Sequence, residues 1–137
     1  MTIRILLADD SHQYRSVIRT MLDREPDMTV VAEASDGPAA LQQALAQTPD
    51  LVLMDVDMPQ MDGIEVTRRL LAEQPAARVL ALSLHPDAQF VQAMVEAGAR
   101  GYVLKDDPFP DLLTAIREVV AGRAYFSSGL AQQQDPG

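Results

Sequence analysis

Four short apolar runs of the sequence each end in a side chain that can handle phosphate or a metal ion. The endings, in chain order, are Asp9 with Asp10 after residues 5–8, Asp55 after residues 51–54, Ser83 after residues 79–82, and Lys105 after residues 102–104. A fifth run, residues 29–32, leads into residues 33–36, to which we assign no such chemistry. If the runs are strands of one parallel sheet, the four endings meet at the same edge of that sheet.

The chemistry of these endings is that of phosphoryl transfer. Asp9, Asp10 and Asp55 in one crevice would repel each other, and their oxygen-only donor set favours a hard cation such as Mg²⁺, with Mn²⁺ as a second candidate. The metal ion and the Lys105 ammonium would offset charge on phosphoryl oxygens, and Ser83 would donate a hydrogen bond. Asp55 is the predicted nucleophile because it stands alone at a central strand end, and its product would be an acyl phosphate.

The elements that position these side chains follow from the hydrophobic pattern. The five runs are rich in Val, Ile and Leu and lack polar alternation, as expected for strands covered on both faces. The stretches between them carry apolar residues at helical spacing, for example within residues 17–22. The sequence therefore predicts an α/β protein with a doubly wound (βα)5 sheet, for which we take the flavodoxin-like order 2-1-3-4-5. In that order the acidic endings crowd together, with Ser83 and Lys105 on the far side.

Composition is consistent with one compact domain and excludes several classes. The 137 residues are near the usual single-domain size, and the absence of cysteine excludes disulfides and thiolate metal sites. The formal charge of −9 argues against direct binding to nucleic acid. The apolar runs are shorter than a membrane span or signal peptide, so we expect no membrane segment and a cytoplasmic location. We predict a domain over residues 1–126, and a tail or linker start over residues 127–137.

The motifs together resemble the receiver domain of two-component response regulators, closest to the NarL/LuxR-type subfamily. Residues 5–10 look like the acidic-pair strand, and residues 53–63 look like the phosphoacceptor segment. Residues 82–83 match the strand that ends in a hydroxyl, and residues 98–106 match the segment that brings in the lysine. The resemblance extends from residue 3 to residue 127 and implies the receiver fold.

The resemblance also implies roles for particular residues. Asp55 would accept phosphate from a histidine kinase, and Mg²⁺ would be bound by Asp10, Asp55 and the backbone carbonyl of Asp57, with Asp9 assisting through water. Ser83 and Tyr102 would form a switch pair that alters a face for partner binding or for a homodimer. The subfamily usually continues into a DNA-binding domain, through which alone nucleic acid would be bound. The chain is then a receiver from a transcription regulator or a single-domain regulator acting through protein contacts.

Three alternatives remain open at the level of the sequence. Residues 9–11 can be an ordinary helix N-cap cluster, and single polar residues at strand ends usually face solvent. Asp55 and Asp57 also resemble the Asp-x-Asp motif of haloacid-dehalogenase-type phosphatases, but that family carries the motif on its first strand. A binding module with this fold could signal without phosphate. The joint placement of polar groups on four strand ends favours the phosphoacceptor.

Overall fold

The computed structural model describes residues 2–130, in which strands and helices alternate as the sequence predicts. The elements are β1 (Ile3–Ala8), α1 (His12–Asp23), β2 (Met28–Ala34), α2 (Gly37–Gln47), β3 (Leu51–Met54), α3 (Gly63–Glu73), β4 (Val79–Ser83), α4 (Ala88–Ala97), β5 (Gly101–Leu104), α5 (Phe109–Val120) and β6 (Tyr125–Phe126). Every predicted apolar run forms a strand. The predicted α/β class is confirmed.

All strands lie parallel in one sheet, whose order is β2-β1-β3-β4-β5-β6. The predicted order 2-1-3-4-5 is thus confirmed, and one strand is added at the edge. The register pairs Ala8 with Met54, so the residues that follow β1 and β3 emerge side by side. Strand β6 was not predicted because a two-residue strand is too short to show a hydrophobic period.

The sheet separates two hydrophobic cores, one on each face. Alternate residues of each strand point to opposite faces, so that Leu6 belongs to one core and Leu7 to the other. Helices α2, α3 and α4 cover the first face, and α1 and α5 cover the second. Burying a large apolar side chain contributes about 1.5–3 kcal/mol. Covering both faces explains why the strands lack polar alternation.

Short polar side chains start three of the helices. Ser11, Asp36 and Asp62 have extended backbones, and each side-chain oxygen accepts the N–H of the residue three positions later. This satisfies one of the otherwise unpaired donors of the first helical turn. Ser11 therefore caps α1, and Asp9 Oδ1 accepts the Ser11 N–H at 2.8 Å. Asp9 Oδ2 and the Asp10 carboxylate take no part in this capping.

The packed structure extends beyond Phe126, where sequence patterning predicted a tail. Ser127 and Leu130 are fully buried, and residues 128–130 have helical backbone conformation. Residues 131–137 of the predicted tail lie outside the described part of the chain. The pattern missed this packing because only Leu130 is apolar among residues 127–130, apart from glycine.

Candidate functional site

Three carboxylates meet where β1 and β3 end. Asp9, Asp10 and Asp55 each place one oxygen within 4.8 Å of the others. Asp9 and Asp55 are buried, whereas Asp10 is exposed. Gly63 at the start of α3 packs against this edge, since a Cβ there would lie 2.1 Å from the Asp55 carbonyl oxygen. A side chain at position 63 would therefore displace α3 from the strand end.

The predicted nucleophile sits in an environment that disfavours its charge. Burial, and after it the nearby Asp9 carboxylate, raise the pKa of the Asp55 carboxyl to about 6 against the opposing charge of Lys105. The Asp57 backbone N–H donates to Asp55 Oδ1 at 3.3 Å, which also favours the charged form. Asp55 is thus a buried carboxylate that a second cation would stabilise.

Lys105 lies directly over the acidic cluster. Its Nζ is 2.6 Å from Asp9 Oδ2 and 3.4 Å from Asp55 Oδ2, and its side chain is 10% exposed. The sequence placed Lys105 across the crevice from the carboxylates, but the side chain is long enough to reach both. Its contact with Asp9 is an ion pair without a well-directed hydrogen bond, so Asp9 Oδ2 is left unsatisfied as a hydrogen-bond acceptor. Asp9 Oδ2 therefore keeps acceptor capacity for another donor or a cation.

Tyr14 completes the lysine's surroundings, and sequence reasoning missed it. Lys105 Nζ lies 4.6 Å from the centre of the Tyr14 ring, in cation–π geometry. Burial, followed by the charges of Asp9 and Asp55, raises the pKa of the Tyr14 hydroxyl. Tyr14 could have been predicted from its position in the first turn of α1, the helix that follows the acidic pair.

The two predicted switch residues are joined through the backbone of His85. Ser83 is fully buried, and its Oγ accepts the His85 N–H at 3.0 Å. Tyr102 is also fully buried, and its hydroxyl donates to the His85 carbonyl oxygen at 2.8 Å. The Tyr102 ring therefore lies inward in this structure, with its hydroxyl bonded to the loop after β4. A movement of Ser83 that displaces the His85 backbone would therefore also displace the acceptor of the Tyr102 hydroxyl.

Asp57 stands apart from the acidic cluster. Its side chain is 66% exposed, and its carboxylate contacts His85 Nε2. The His85 ring in turn stacks on Phe90 of α4, with centroids 4.4 Å apart. The contact between His85 and Asp57 spans 28 positions of the chain, so no local pattern of the sequence indicates it. The Asp57 carboxylate thus faces α4, and only its backbone remains a predicted metal ligand.

Comparison with known proteins places this geometry in a family. Residues 5–117 match the family described as the response regulator receiver domain. The crystal structure of a two-component response regulator of the LuxR family from Aurantimonas sp. SI85-9A1 superposes with a TM-score of 0.93 at 39% identity, covering 97% of this chain and 95% of that chain. The chain belongs to the receiver domain family.

Relatives of this receiver domain are regulatory proteins by name. "Transcriptional regulatory protein DegU" of Brevibacillus brevis is 37% identical over 123 residues, which is 90% of this chain and 52% of DegU. "Response regulator GacA" of Pseudomonas viridiflava is 39% identical over 131 residues, 96% of this chain and 61% of GacA. The chain thus spans about half to three fifths of their length. Within residues 2–130 no helix has the length and apolar character needed to cross a bilayer.

The acidic cluster of this receiver domain fits a hard divalent cation. Three carboxylates converge, Asp9 Oδ2 lacks an aligned donor, and the pKa of Asp55 is raised by burial and by Asp9. Carboxylate oxygens are the ligands that Mg²⁺ prefers, and Mg²⁺ usually keeps several waters beside one or two carboxylates. The exposed side of Asp10 leaves space for those waters.

The raised pKa of Asp55 predicts a pH-dependent stability for the metal-free protein. A buried carboxyl with a pKa of about 6 is destabilised in its charged form. Ionisation of Asp55 therefore lowers the free energy of unfolding. This loss of stability is absent below the unfolded pKa near 4, grows as the pH rises, and is complete above about pH 6. In EDTA, Asp55→Asn should therefore melt higher than wild type at pH 8. The difference should shrink towards pH 4, and thermal melts across this range would measure it. A gap independent of pH would contradict the prediction.

Proposed function

We propose that this chain is the phosphoacceptor domain of a two-component response regulator, phosphorylated on Asp55 by a histidine kinase. The observation that carries the proposal is the buried Asp55 carboxylate, clustered with two carboxylates and 3.4 Å from the Lys105 ammonium. Membership of the receiver family supports it. A carboxylate between an acidic cluster and a lysine is equipped to attack phosphorus while both sides offset the phosphoryl charge.

The proposed reaction is an in-line transfer. An Asp55 oxygen attacks the phosphorus of a phosphohistidine, the phosphorus–nitrogen bond breaks, and its electron pair returns to the imidazole of the kinase. Lys105 and the Ser83 hydroxyl donate to the phosphoryl oxygens. Mg²⁺, held by Asp10, Asp55 and the Asp57 carbonyl with Asp9 acting through water, would supply charge neutralisation when bound. Hydrolysis of the acyl phosphate later restores Asp55, so the domain catalyses its own change of state.

Acetyl phosphate provides the decisive experiment. Incubation with acetyl phosphate and Mg²⁺ should add one phosphoryl group to the intact protein, detectable by mass spectrometry. EDTA should prevent the addition, because the three carboxylates would then repel the incoming phosphate. The absence of any mass shift, or a shift that EDTA leaves unchanged, would refute the proposal. Steady turnover of a generic phosphate ester would instead support the haloacid-dehalogenase-type alternative.

The relatives support a proposal about the effect that phosphorylation has on the cell. DegU and GacA are named as regulators, and this chain covers only 52% and 61% of them. We propose that phosphorylation controls transcription through a DNA-binding domain outside these 137 residues, since a chain of net charge −9 is a poor nucleic-acid ligand. Direct protein contacts, including a homodimer, are the alternative output. Fragments with and without any following segment, tested on target DNA, would separate the two.

Asp10 offers a direct test of the metal site. Asp10→Asn should stabilise the metal-free protein, because it removes one of three clustered charges, and should weaken Mg²⁺ binding. At about 100 times its dissociation constant a ligand stabilises a protein by about 2.7 kcal/mol, so the rise in thermal midpoint on adding Mg²⁺ should be clear for wild type and smaller for the variant.

The matched control is Asp23→Asn. Asp23 is an exposed carboxylate at the other end of α1 that pairs only with Arg19 among the contacts described. This variant should respond to Mg²⁺ as wild type does. If Mg²⁺ raised the midpoint of Asp10→Asn as much as that of wild type, Asp10 would not be a ligand.

A further inference from the structure

Residues 125–130, here called the edge segment, are built into the sheet next to β5. Strand β6 pairs Tyr125 with Gly101 and Phe126 with Tyr102. The approach is close, since a Cβ on Gly101 would lie 2.4 Å from the Tyr125 carbonyl oxygen. The Ser127 N–H continues the ladder by donating to the Tyr102 carbonyl at 3.0 Å. A glycine at position 101 is therefore what allows the edge segment to lie against β5.

Ser127 anchors the edge segment with its side chain as well. The residue is 1% exposed, so its hydroxyl requires internal partners. Ser127 Oγ accepts the Leu104 N–H at 3.0 Å and donates to the Asp107 carboxylate. Leu130, three residues further, is fully buried in the same core as Tyr102. These contacts make the edge segment a folded element.

The partners of Ser127 enclose the residue that acts at the phosphoacceptor site. Leu104 precedes Lys105 and Asp107 follows it by two positions, so one hydroxyl holds the chain on both sides of the lysine. In this arrangement Lys105 Nζ is already 3.4 Å from Asp55 Oδ2. A lysine whose backbone is fixed near its target loses less conformational freedom when it binds there. The hydrogen bonds of Ser127 to Leu104 and Asp107 therefore favour the position of Lys105 in which it can bind a phosphoryl group.

We propose that Ser127 is a positioning residue that couples the edge segment to the phosphoacceptor site, so that occupancy of Asp55 tightens the edge segment. This rests on the proposed function of Asp55. Coupling between two sites is reciprocal, so a phosphoryl group that needs Lys105 in place stabilises the contacts of Ser127, and loss of those contacts weakens phosphoryl binding.

Beryllofluoride with Mg²⁺, a phosphoryl mimic, gives the test. Hydrogen exchange of residues 101–107 and 125–130 is measured in wild type with and without the mimic. The affinity for beryllofluoride is then measured by calorimetric titration for wild type, Ser127→Ala, Ser127→Thr and Ser128→Ala. Ser128 is the exposed neighbour and serves as the matched control. Thr at position 127 keeps the hydroxyl.

We expect the mimic to slow exchange at the amides of Leu104 and Ser127 in wild type. Ser127→Ala should bind beryllofluoride about fivefold or more weakly, the lower end of typical coupling between sites. Ser128→Ala should match wild type, and Ser127→Thr should recover most of the affinity. The affinity for Mg²⁺ alone should be the same in all four proteins, which a general loss of structure would not produce.

The failures are distinguishable. If wild type binds beryllofluoride but exchange at Leu104 and Ser127 does not change, or if Ser127→Ala binds as tightly as Ser128→Ala, the coupling is wrong and the proposed function stands. If wild type does not bind beryllofluoride, the proposed function fails and the coupling fails with it. The exchange measurement uses wild type only, so it decides the matter even if Ser127→Ala does not fold.

Discussion

Asp55→Asn should abolish phosphorylation by acetyl phosphate, whereas wild type gains one phosphoryl group. The amide is nearly isosteric with the carboxylate but is a far poorer nucleophile, and Asp55 is the buried carboxylate that Lys105 also contacts. Intact-mass spectrometry after incubation with acetyl phosphate and Mg²⁺ measures the result. Fold retention is checked by thermal melting, where we expect the variant to be the more stable protein above about pH 6.

The matched control is Asp106→Asn. Asp106 is an exposed carboxylate next to Lys105 in sequence, so it lies near the site without belonging to the acidic cluster. It should gain one phosphoryl group as wild type does. Equal labelling of Asp55→Asn and Asp106→Asn would show that Asp55 is not the acceptor, and fragment masses would then identify the residue that is.

Lys105→Ala should produce the second large effect, a loss of beryllofluoride binding. A hydrogen bond to a charged group contributes about 1.5–3 kcal/mol, so removing the ammonium should weaken binding about 10- to 100-fold. Lys105 is the only lysine of the sequence, so no other lysine can replace its positive charge at the acidic cluster. Titration of beryllofluoride at fixed Mg²⁺ measures the change, and Lys105→Arg should retain part of the affinity.

Ser83→Ala separates binding from response. The hydroxyl accepts the His85 N–H, and the His85 carbonyl accepts the Tyr102 hydroxyl. When Ser83 turns to donate to a phosphoryl oxygen, that loop loses a hydrogen bond and Tyr102 loses a fixed partner. Beryllofluoride should therefore increase self-association or partner binding in wild type and in Ser83→Thr, and much less in Ser83→Ala. Sedimentation measures this association. A full response of both Ser83→Ala and Lys105→Ala would exclude these residues from the switch.

Much of the site was predictable because parallel strands bring their carboxyl ends to one edge. Asp9, Asp55, Ser83 and Lys105 each follow an uninterrupted apolar run, so finding the strands also found the residues. The register of β1 on β3 then guaranteed that the acidic side chains would meet. Asp57 shows the limit of this argument. Its position three residues past the strand end left its side chain free to turn away, and it contacts His85 instead.

The amino-acid sequence by itself determined the α/β class and the four strand-end groups, because a buried parallel strand requires a continuous apolar run that can be recognised locally. The order of the strands depends on long-range pairing, and the structure shows it to be the flavodoxin-like order with one strand added. Only the tertiary structure decided the contacts of Tyr14, His85 and the edge segment. These contacts join residues far apart in the chain and depend on side-chain length, ring stacking and the space beside Gly101. Such contacts have no sequence period, since packing geometry alone selects them.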